Sequence, residues 1–266
     1  MSGTQQDALR GAGCLRSSPR ASQVQNGCVH TWRVLTWNLH GSADPNCTLV
    51  AEVIAGYAPD VVALQEVRRA QARALAKRLG WHRAWARKHH PYSPLVWWRT
   101  EGIAVLSSHP LSHIVRTSIS PRVSTWTYRH RVLLAATVTR GGEALRLYDT
   151  HLSSDNADER ISQARLVAEQ VESDGAGLAV VAGDLNAPGE VEVIREFVRV
   201  GLLDAGGDDT NPSILPSQRL DYVLVPNTAA LISEQVPAGG QSWHELSDHL
   251  PVVVEFVAGS GQMRSQ

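Results

Sequence analysis

The segment Leu246-Ser247-Asp248-His249-Leu250-Pro251 runs directly into the apolar stretch 252–256 near the end of this 266-residue chain. The apolar stretch has the length and the β-branched composition of a buried strand. A carboxylate beside an imidazole at the entrance of a strand can hold a divalent metal and move a proton. The segment therefore predicts part of a functional site at one end of a sheet.

Polar residues also end four apolar runs upstream. They are Asn38 after 34–37, Glu66 after 61–65, His151 after 147–150, and Asp184 with Asn186 after 180–183. Repetition of the same pattern predicts one site that is gathered from several strand ends.

Length and charge restrict the class of protein. We predict one domain over residues 32–257, between a disordered Ser-, Gly-, Gln- and Arg-rich tail at 1–31 and a short tail at 258–266. The formal net charge is −1, so no global charge attracts the protein to nucleic acid or to an anionic membrane. Any affinity for phosphate must therefore be local.

The cysteines and the hydropathy favour a cytoplasmic protein. The spacing of the three cysteines, Cys14, Cys28 and Cys47, is not that of a metal site. It indicates free thiols in a reducing compartment. The sequence has no stretch of roughly 18 apolar residues, so it predicts no transmembrane helix. The first residues lack the apolar core of a secretory signal. We expect a cytoplasmic monomer.

Apolar runs alternate with helical patterns from Arg33 onward. The predicted strands are 33–38, 61–66, 102–108, 131–139, 144–151, 178–184, 219–225 and 251–257. Apolar residues at helical spacing predict helices over 49–57, 161–171 and 191–198. A hairpin signal at 140–143, with helices after only some strands, predicts an α+β fold of packed sheets with mixed strand directions, flanked by helices.

Asp184 and Asn186 lie two positions apart, so in an extended strand they share a face while Leu185 points into the core. One short segment thus offers a carboxylate and an amide to a common ligand. Gly183 allows close approach of the backbone, and Pro188 ends the strand. The alternative is an Asx-rich turn that only reverses the chain.

Glu66 ends a run so apolar that a charged group there is costly unless it is paired or bound to a metal. A metal ligand is favoured over the alternative, a charge at the N-terminus of a helix that begins near Val67. The alternative for Asn38 is that it is a turn residue at the end of a strand. The alternative for His151 is that it is a core histidine with satisfied hydrogen bonds.

Asp221 lies among apolar neighbours in the run 219–225. A carboxylate there can orient an imidazole by accepting its Nδ1 proton, and His249 is the natural partner. The alternative is a structural ion pair between Asp221 and Arg219.

Six blocks together resemble the signature of the endonuclease/exonuclease/phosphatase superfamily, in the right order from about Arg33 to Phe256. The blocks are Trp37-Asn38, Leu64-Gln65-Glu66-Val67, Thr150-His151-Leu152, Gly183-Asp184-Leu185-Asn186, Arg219-Leu220-Asp221-Tyr222 and Ser247-Asp248-His249. The resemblance implies a four-layer αββα sandwich of two mixed, mostly antiparallel sheets, as in DNase I. It also implies Mg²⁺-dependent hydrolysis of phosphoesters, with Mn²⁺ as the alternative metal.

The same resemblance implies a role for each matched residue. Glu66 resembles the main metal carboxylate, with Asn38 and Asp248 close to the metal or the phosphate. Asp184 and Asn186 resemble the pair that orients the attacking water and a phosphate oxygen.

The two histidines resemble the proton-handling groups of the family. His249 corresponds to the general base, held by Asp221. His151 corresponds to the imidazole that either stabilises charge on the phosphate or assists the leaving group. In-line attack on a phosphoester needs a base on one side and charge stabilisation on the other, which two imidazoles can supply.

Details of the blocks narrow the substrate. The abasic-site branch of the superfamily has a Tyr-containing block where this chain has His151. That branch also carries an acidic residue two positions after the equivalent of Asn38, where this chain has His40. Abasic-site repair is therefore disfavoured. In the DNase I-like branch a Glu pairs with the equivalent of His151, and Glu101 matches it; the alternative for Glu101 is a solvated residue at a strand entrance.

A basic stretch interleaved with aromatics follows Arg78 and is a candidate for stacking bases and contacting phosphates. It contains Trp81, Arg83, Trp85, Arg87, Lys88, His89, His90, Trp97 and Trp98. The favoured alternative is that the tryptophans fill the sandwich while the cations face water, with Trp81 and Trp85 at helical spacing. Arg131, in the cluster 129–131, is a weaker candidate for a substrate phosphate contact.

The remaining interpretation is an intracellular metal-dependent phosphodiesterase or phosphatase, with a DNase I-like nuclease as the leading specific alternative. A sphingomyelinase-like enzyme is disfavoured because neither an export signal nor an apolar hairpin is evident. An inositol-polyphosphate phosphatase is disfavoured by the even charge balance. A non-catalytic scaffold predicts the loss of at least one matched residue, and all eight are present.

Overall fold

The computed structural model describes residues 31–88, 99–120 and 130–259. Residues 1–30 of the predicted N-terminal tail, most of the predicted C-terminal tail, and the candidates His89, His90, Trp97, Trp98 and Arg129 lie outside these residues.

In the described part of the chain, twelve strands form two six-stranded sheets, each with one parallel pair. The first sheet has the order β11-β12-β1-β2-β4-β3 and pairs β1 with β2 in parallel, while its other pairs are antiparallel. Its strands are β1 (Thr31–Asn38), β2 (Val61–Arg68), β3 (His82–Arg87), β4 (Glu101–Ser107), β11 (Ala230–Gln235) and β12 (Val252–Val257).

The second sheet repeats the arrangement with the order β5-β6-β7-β8-β10-β9, in which only the pair β7–β8 is parallel. Its strands are β5 (Leu111–Ser118), β6 (Val132–Arg140), β7 (Glu143–His151), β8 (Ala179–Asp184), β9 (Leu202–Asp204) and β10 (Asp221–Pro226). The predicted mixed, mostly antiparallel sheets are confirmed.

Helices cover the outer face of each sheet. The helices are α1 (Cys47–Tyr57), α2 (Arg69–Leu79), α3 (Ala157–Asp174), α4 (Val191–Val198) and the single turn α5 (Gln241–His244). Asn46 and Asn156 cap the first turns of α1 and α3 by accepting backbone N–H bonds. Helices α1 and α2 pack on the first sheet, and α3 and α4 on the second, which gives the predicted αββα order.

The side-chain period of two separates the core into layers. On β1, Trp32 and Val34 face the second sheet, while Leu35 and Trp37 pack against the helices. The same alternation holds on the other central strands, so each contributes one apolar face to a common layer between the sheets.

All eight predicted strands and the three predicted helices are present, with ends shifted by a few residues. Four strands, β3, β5, β9 and β11, were not predicted. Strand β5 is mostly exposed and β9 has three residues, so neither carries the strong apolar pattern on which prediction depends.

The spacing of Trp81 and Trp85 indicated a helix, and this prediction is wrong because Trp85 lies on strand β3. Both rings nevertheless pack against the helical layer of the first sheet, and Trp85 Nε1 donates to the Val67 carbonyl. These two tryptophans are therefore structural. Among the described residues no helix is both long and apolar enough to cross a membrane.

Asp149 is a fully buried carboxyl on β7, beneath the edge where the sheets carry polar residues. Burial raises its pKa well above the usual value, and hydrogen bonds from Gln65 and the Ala104 backbone offset this only in part. The folded protein thus keeps Asp149 protonated at pH values where the unfolded chain does not.

We predict that Asp149→Asn flattens the loss of stability with rising pH. A group with a raised folded pKa binds more protons in the folded state, so stability falls as pH rises above its unfolded pKa of about 4. Relative to wild type, the mutant should become more stable from pH 5 to pH 8, because Asn has no proton to lose. Urea unfolding at both pH values measures this, with the exposed Asp209→Asn as control; equal pH slopes for Asp149→Asn and wild type would contradict it.

Candidate functional site

The predicted site residues meet at one edge of the sandwich because of strand direction. Parallel strands β1 and β2 end there, as do β7 and β8, while the antiparallel strands β4, β10 and β12 begin there. Side-chain parity then turns Asn38, His151, Asp184 and Asp221 inward, since each continues the alternation of the apolar residues between the sheets.

Glu66 owes its position to a β-bulge. The pairing of β2 with β4 shifts between Leu64 and Val67, and Glu66 has a left-handed backbone with φ 51°. The extra residue lets both Gln65 and Glu66 face the second sheet, while Val67 returns to the helical side. The alternative of a helix-capping charge is not what the structure shows, because α2 begins only at Arg69.

Asp184 is the centre of the site and is almost fully buried. Its Oδ2 accepts a 2.9 Å hydrogen bond from Asn38 Nδ2, and lies 3.5 Å from His151 Nε2 and 4.0 Å from His249 Nε2. Burial raises the pKa of Asp184, the His249 charge opposes this, and Asp221 adds to it. One carboxylate oxygen therefore faces an amide and two imidazoles.

Asn186 reaches the site by a turn, which corrects the prediction of a shared strand face. Strand β8 ends at Asp184, and Asn186 has φ 49° with its backbone N–H bonded to Asp184 Oδ1. Its Nδ2 donates to the Leu152 carbonyl. Gly183 does allow the predicted close approach, since a Cβ there would lie 2.0 Å from the Thr150 oxygen.

His249 and Asp221 form the predicted buried pair. His249 Nδ1 lies 2.8 Å from Asp221 Oδ2, and Thr210 Oγ1 donates to the same oxygen at 2.6 Å. Arg219 bonds to Asp204 instead, which excludes the alternative partner of Asp221. Burial disfavours the charged imidazole, but the Asp221 charge and hydrogen bond outweigh it and raise the pKa of His249 to about 10.

The loop that carries Asp248 and His249 is fixed to the first sheet. Trp37 Nε1 donates to the His249 carbonyl at 2.9 Å, and Ser247 Oγ donates to the Asn38 carbonyl at 2.6 Å. The loop therefore sits on the end of β1, which places His249 between the two sheets.

Lys88 is a site residue whose environment the sequence did not reveal. It follows β3, and its side chain is only 3% exposed. Nζ lies 2.9 Å from Glu66 Oε1 and 3.1 Å from His151 Nδ1. Burial lowers the pKa of Lys88 and the Glu66 charge opposes this. The prediction that the cations of this stretch face water holds for Arg83 and Arg87 but is wrong for Lys88.

Lys88 also alters the electrostatics of Glu66. Burial tends to raise the pKa of Glu66, but the Lys88 charge and hydrogen bond, with smaller effects of His40 and Arg131, outweigh it and lower that pKa. Glu66 is therefore ionised at neutral pH.

His40 and Asp248 form the outer rim. His40 Nδ1 lies 3.3 Å from Asp248 Oδ2, and the His40 backbone N–H donates to Asn38 Oδ1. The Asp248 side chain is 39% exposed, so its carboxylate is open to a ligand. The sequence had placed His40 beside the site only as a departure from the abasic-site pattern.

The two candidate substrate residues lie at the same edge. Glu101 begins β4, and burial followed by the Glu66 charge raises its pKa. Glu66 and Lys88 are the charged groups that act most strongly on Glu101. Arg131 precedes β6, is 5% exposed, and acts electrostatically on both Glu66 and Lys88.

The donor set fits a hard divalent cation. Glu66 Oε2 accepts no hydrogen bond from a described residue, and the Asp248 carboxylate is open. Ligand atoms of Asp184, Asp221 and His249 also lie within 4.8 Å of one another. Asp221 Oδ2 already accepts bonds from Thr210 and His249, so it has little capacity left for a hard cation, which prefers oxygen ligands.

Comparison with known proteins identifies the family. The model of the Endonuclease/Exonuclease/phosphatase family matches residues 35–249, more than half of the chain, and the protein belongs to that family. Family membership supports a phosphoesterase. No curated protein sequence is significantly similar to the chain.

Solved structures share the fold at low identity. An endonuclease/exonuclease/phosphatase from Beutenbergia cavernae is 24% identical, with a TM-score of 0.68 over 86% of this chain and 72% of that one. A mannosyl-6-phosphatase from Bacteroides thetaiotaomicron is 17% identical, with a TM-score of 0.70 over 85% and 99%. The human Nocturnin catalytic domain is 22% identical, with a TM-score of 0.65 over 85% and 93%.

We predict that Thr210→Val destabilises the protein by about 1–3 kcal/mol, the usual effect of leaving a buried polar group without its partner. The hydroxyl donates to Asp221 and accepts from the backbone N–H groups of Leu220 and Asp221. Urea unfolding measures the change, with Thr139→Val, an exposed position on β6, as control. An unfolding midpoint equal to that of wild type would show that the hydroxyl does not support Asp221.

Proposed function

We propose that this protein is a Mg²⁺-dependent hydrolase of phosphoester bonds, a phosphodiesterase or phosphatase, in which His249 activates water and Glu66 is the main metal ligand. The observation that carries the proposal is the position of Asp184 Oδ2, which faces His151 Nε2, His249 Nε2 and the Asn38 amide within 4.0 Å. A phosphoryl group bound beside Asp184 would have both imidazoles within reach, one to accept a proton from water and one to stabilise charge.

His249 is suited to accept a proton from water. Its Nδ1 is held by Asp221, so Nε2 is the nitrogen directed toward Asp184 and the centre of the site. Asp221 fixes the ring orientation and stabilises the imidazolium that forms, as in other carboxylate–imidazole pairs. Asp184 and Asn186 hold the reacting water and a phosphate oxygen.

Glu66 and Asp248, with the Asn38 amide oxygen nearby, are the oxygen ligands that we assign to Mg²⁺, with Mn²⁺ as the alternative. When bound, the cation neutralises charge on the phosphate and on its carboxylate ligands. Three carboxylates favour the imidazolium form of His249, so neutralising the charge of Asp248 lowers the pKa of His249 toward the neutral form that a base requires.

Substrate contacts are assigned to groups at the rim of the site. Arg131 and Glu101 lie at strand entrances on the same edge as Glu66. The DNase I-like alternative depends on the basic aromatic stretch, of which Trp81 and Trp85 serve the core. A nuclease therefore remains the alternative rather than the proposal. We propose a cytoplasmic monomer, with residues 32–257 as its one domain.

We predict that purified protein hydrolyses p-nitrophenyl phosphate or bis(p-nitrophenyl) phosphate with Mg²⁺, and that His249→Gln lowers kcat by at least about 10²-fold, the lower range for a general base. Activity should rise with pH on the acid side, because His249 must lose its proton to act. Release of p-nitrophenolate measures both, with His244→Gln on α5 as control.

Supercoiled plasmid is tested as a third substrate under the same conditions, with nicking as the readout. Nicking that His249→Gln abolishes, without hydrolysis of either small ester, would replace the proposal by the nuclease alternative. A folded protein that cleaves none of the three substrates with Mg²⁺ or Mn²⁺ would contradict the proposed function.

We predict that Mg²⁺ stabilises the protein against heat and that Glu66→Gln reduces this stabilisation. A ligand at 100 times its Kd stabilises the folded state by about 2.7 kcal/mol. Thermal unfolding with and without Mg²⁺ measures the shift, and Glu52→Gln, an exposed position on α1, serves as control. An equal Mg²⁺ shift in Glu66→Gln and wild type would place the metal elsewhere.

A further inference from the structure

The loop between β9 and β10 holds two large apolar side chains in water. Leu215 is 76% exposed, the largest exposed fraction of any large apolar residue in the part of the chain that the structure describes, and its neighbour Ile214 is 46% exposed. We call these two residues the apolar tip. Exposed apolar residues are common on protein surfaces, so the position of this pair decides whether it has a role.

Hydrogen bonds fix the shape of the loop. At its neck, Asn211 and Gln218 pair as an isolated antiparallel bridge, and the Gln218 N–H donates to the Asn211 carbonyl at 2.9 Å. Near its end, the Leu215 N–H donates to the Pro212 carbonyl at 3.1 Å and closes a turn. Ser213, between them, is fully buried. The apolar tip therefore stands at a defined place on the surface.

The same loop is attached to the edge of the sandwich that carries the candidate site. The Ser213 N–H donates to the Asp248 carbonyl at 2.8 Å, and Ser213 Oγ donates to the Ser247 carbonyl at 2.6 Å. Asn211 Nδ2 also donates to the Asp248 carbonyl, at 3.1 Å. Because the apolar tip directly follows Ser213, it adjoins the rim where the Asp248 carboxylate is exposed.

The position of the apolar tip relative to His249 decides which part of a substrate can reach it. In an in-line displacement the attacking and leaving oxygens lie on opposite sides of the phosphorus. Under the proposed function the attacking water lies beside His249 Nε2, and the loop is bonded to residues 247–248, which directly precede His249. A group that reaches the apolar tip is therefore not the leaving group. It is a second ester group, which stays on the phosphorus.

We infer that Ile214 and Leu215 are specificity-determining residues that bind an apolar group on the non-leaving oxygen of a phosphodiester. This inference rests on the proposed function and narrows it, because a phosphomonoester has no second ester group to bind. The bond between phosphorus and the leaving oxygen breaks, and that oxygen takes the electron pair. The water oxygen bonds to phosphorus while His249 accepts its proton, and the monoester product keeps the apolar group.

Charge near the loop favours a soluble substrate over a lipid surface. Residues 204–218 contain three aspartates and neither lysine nor arginine. Arg219, the next cation along the chain, is already bonded to Asp204. Peripheral membrane binding usually combines apolar side chains with lysine or arginine, which attract anionic lipids. The loop has the apolar side chains without the cations.

Two phosphodiesters with the same leaving group test the inference. Methyl p-nitrophenyl phosphate and hexyl p-nitrophenyl phosphate both release p-nitrophenolate, so a difference in kcat/KM reports the non-leaving group. With Mg²⁺ we expect kcat/KM to be at least about tenfold higher for the hexyl ester, the effect of burying roughly two methylene groups. Leu215→Ser should bring the ratio of the hexyl to the methyl value close to one.

Two further variants serve as matched controls. Leu231→Ser removes a leucine that is 48% exposed on β11 and should keep the wild-type ratio. Leu215→Met keeps an apolar side chain at the tip and should retain most of the preference. Equal kcat/KM values for the two esters in wild-type protein, or a ratio that Leu215→Ser leaves unchanged, would overturn the inference.

The outcome for the proposed function is read separately. If wild-type protein hydrolyses p-nitrophenyl phosphate but neither diester, the proposed function stands and the inference falls. If it hydrolyses no ester, the proposed function fails, and thermal unfolding with methyl phosphate or hexyl phosphate tests the apolar tip alone. Hexyl phosphate should then raise Tm more than methyl phosphate, and Leu215→Ser should remove the difference. Equal shifts would overturn the inference.

Phosphatidylcholine vesicles test the lipid surface as the other source of apolar groups. Wild-type protein should stay in the supernatant when the vesicles are sedimented. Co-sedimentation that Leu215→Ser abolishes would assign the apolar tip to a membrane and would overturn the inference.

Discussion

The hydrogen bond from Asn38 to Asp184 joins the ends of two strands that belong to different sheets, and the rest of the site is arranged around it. Asp184 has almost no access to solvent, so its charge must be compensated by protein groups. Asn38 compensates it from the first sheet, and the ring nitrogens of His151 and His249 approach the same oxygen. The relative position of the sheets therefore determines the distance between the two imidazoles.

This arrangement concentrates charge at one edge of the sandwich. Between the sheets the inward positions are apolar, and toward this edge the same positions become polar, from Thr36 and Gln65 to Asn38 and Glu66. Buried groups of like charge are unfavourable, so the carboxylates are interleaved with Lys88, His151 and His249. A divalent cation adds positive charge where Glu66 and Asp248 remain open, which gives a physical reason for coupling metal binding to stability.

Part of this site is readable from sequence because polar residues at the ends of apolar runs are conspicuous. Asn38, Glu66, His151 and Asp184 were identified in this way, and the structure brings all four together with Asp221 and His249. Lys88 was expected to face water with the other cations of its stretch, because β3 has short alanine side chains and was not recognised as a strand. Asn186 was placed on a strand face because the turn at φ 49° is not visible as a break in the alternation.

The sequence by itself determined the class of fold, the order of the central strands and helices along the chain, and the family blocks, since these depend on local periodicity and on residue identity. Only the tertiary structure decided which groups touch. The pairing of Asp221 with His249 rather than with Arg219, and the position of Lys88 at His151 Nδ1, depend on strand direction, parity and the bulge at Glu66. Those features arise from long-range pairing, because residues far apart in the chain become neighbours only when the two sheets pack.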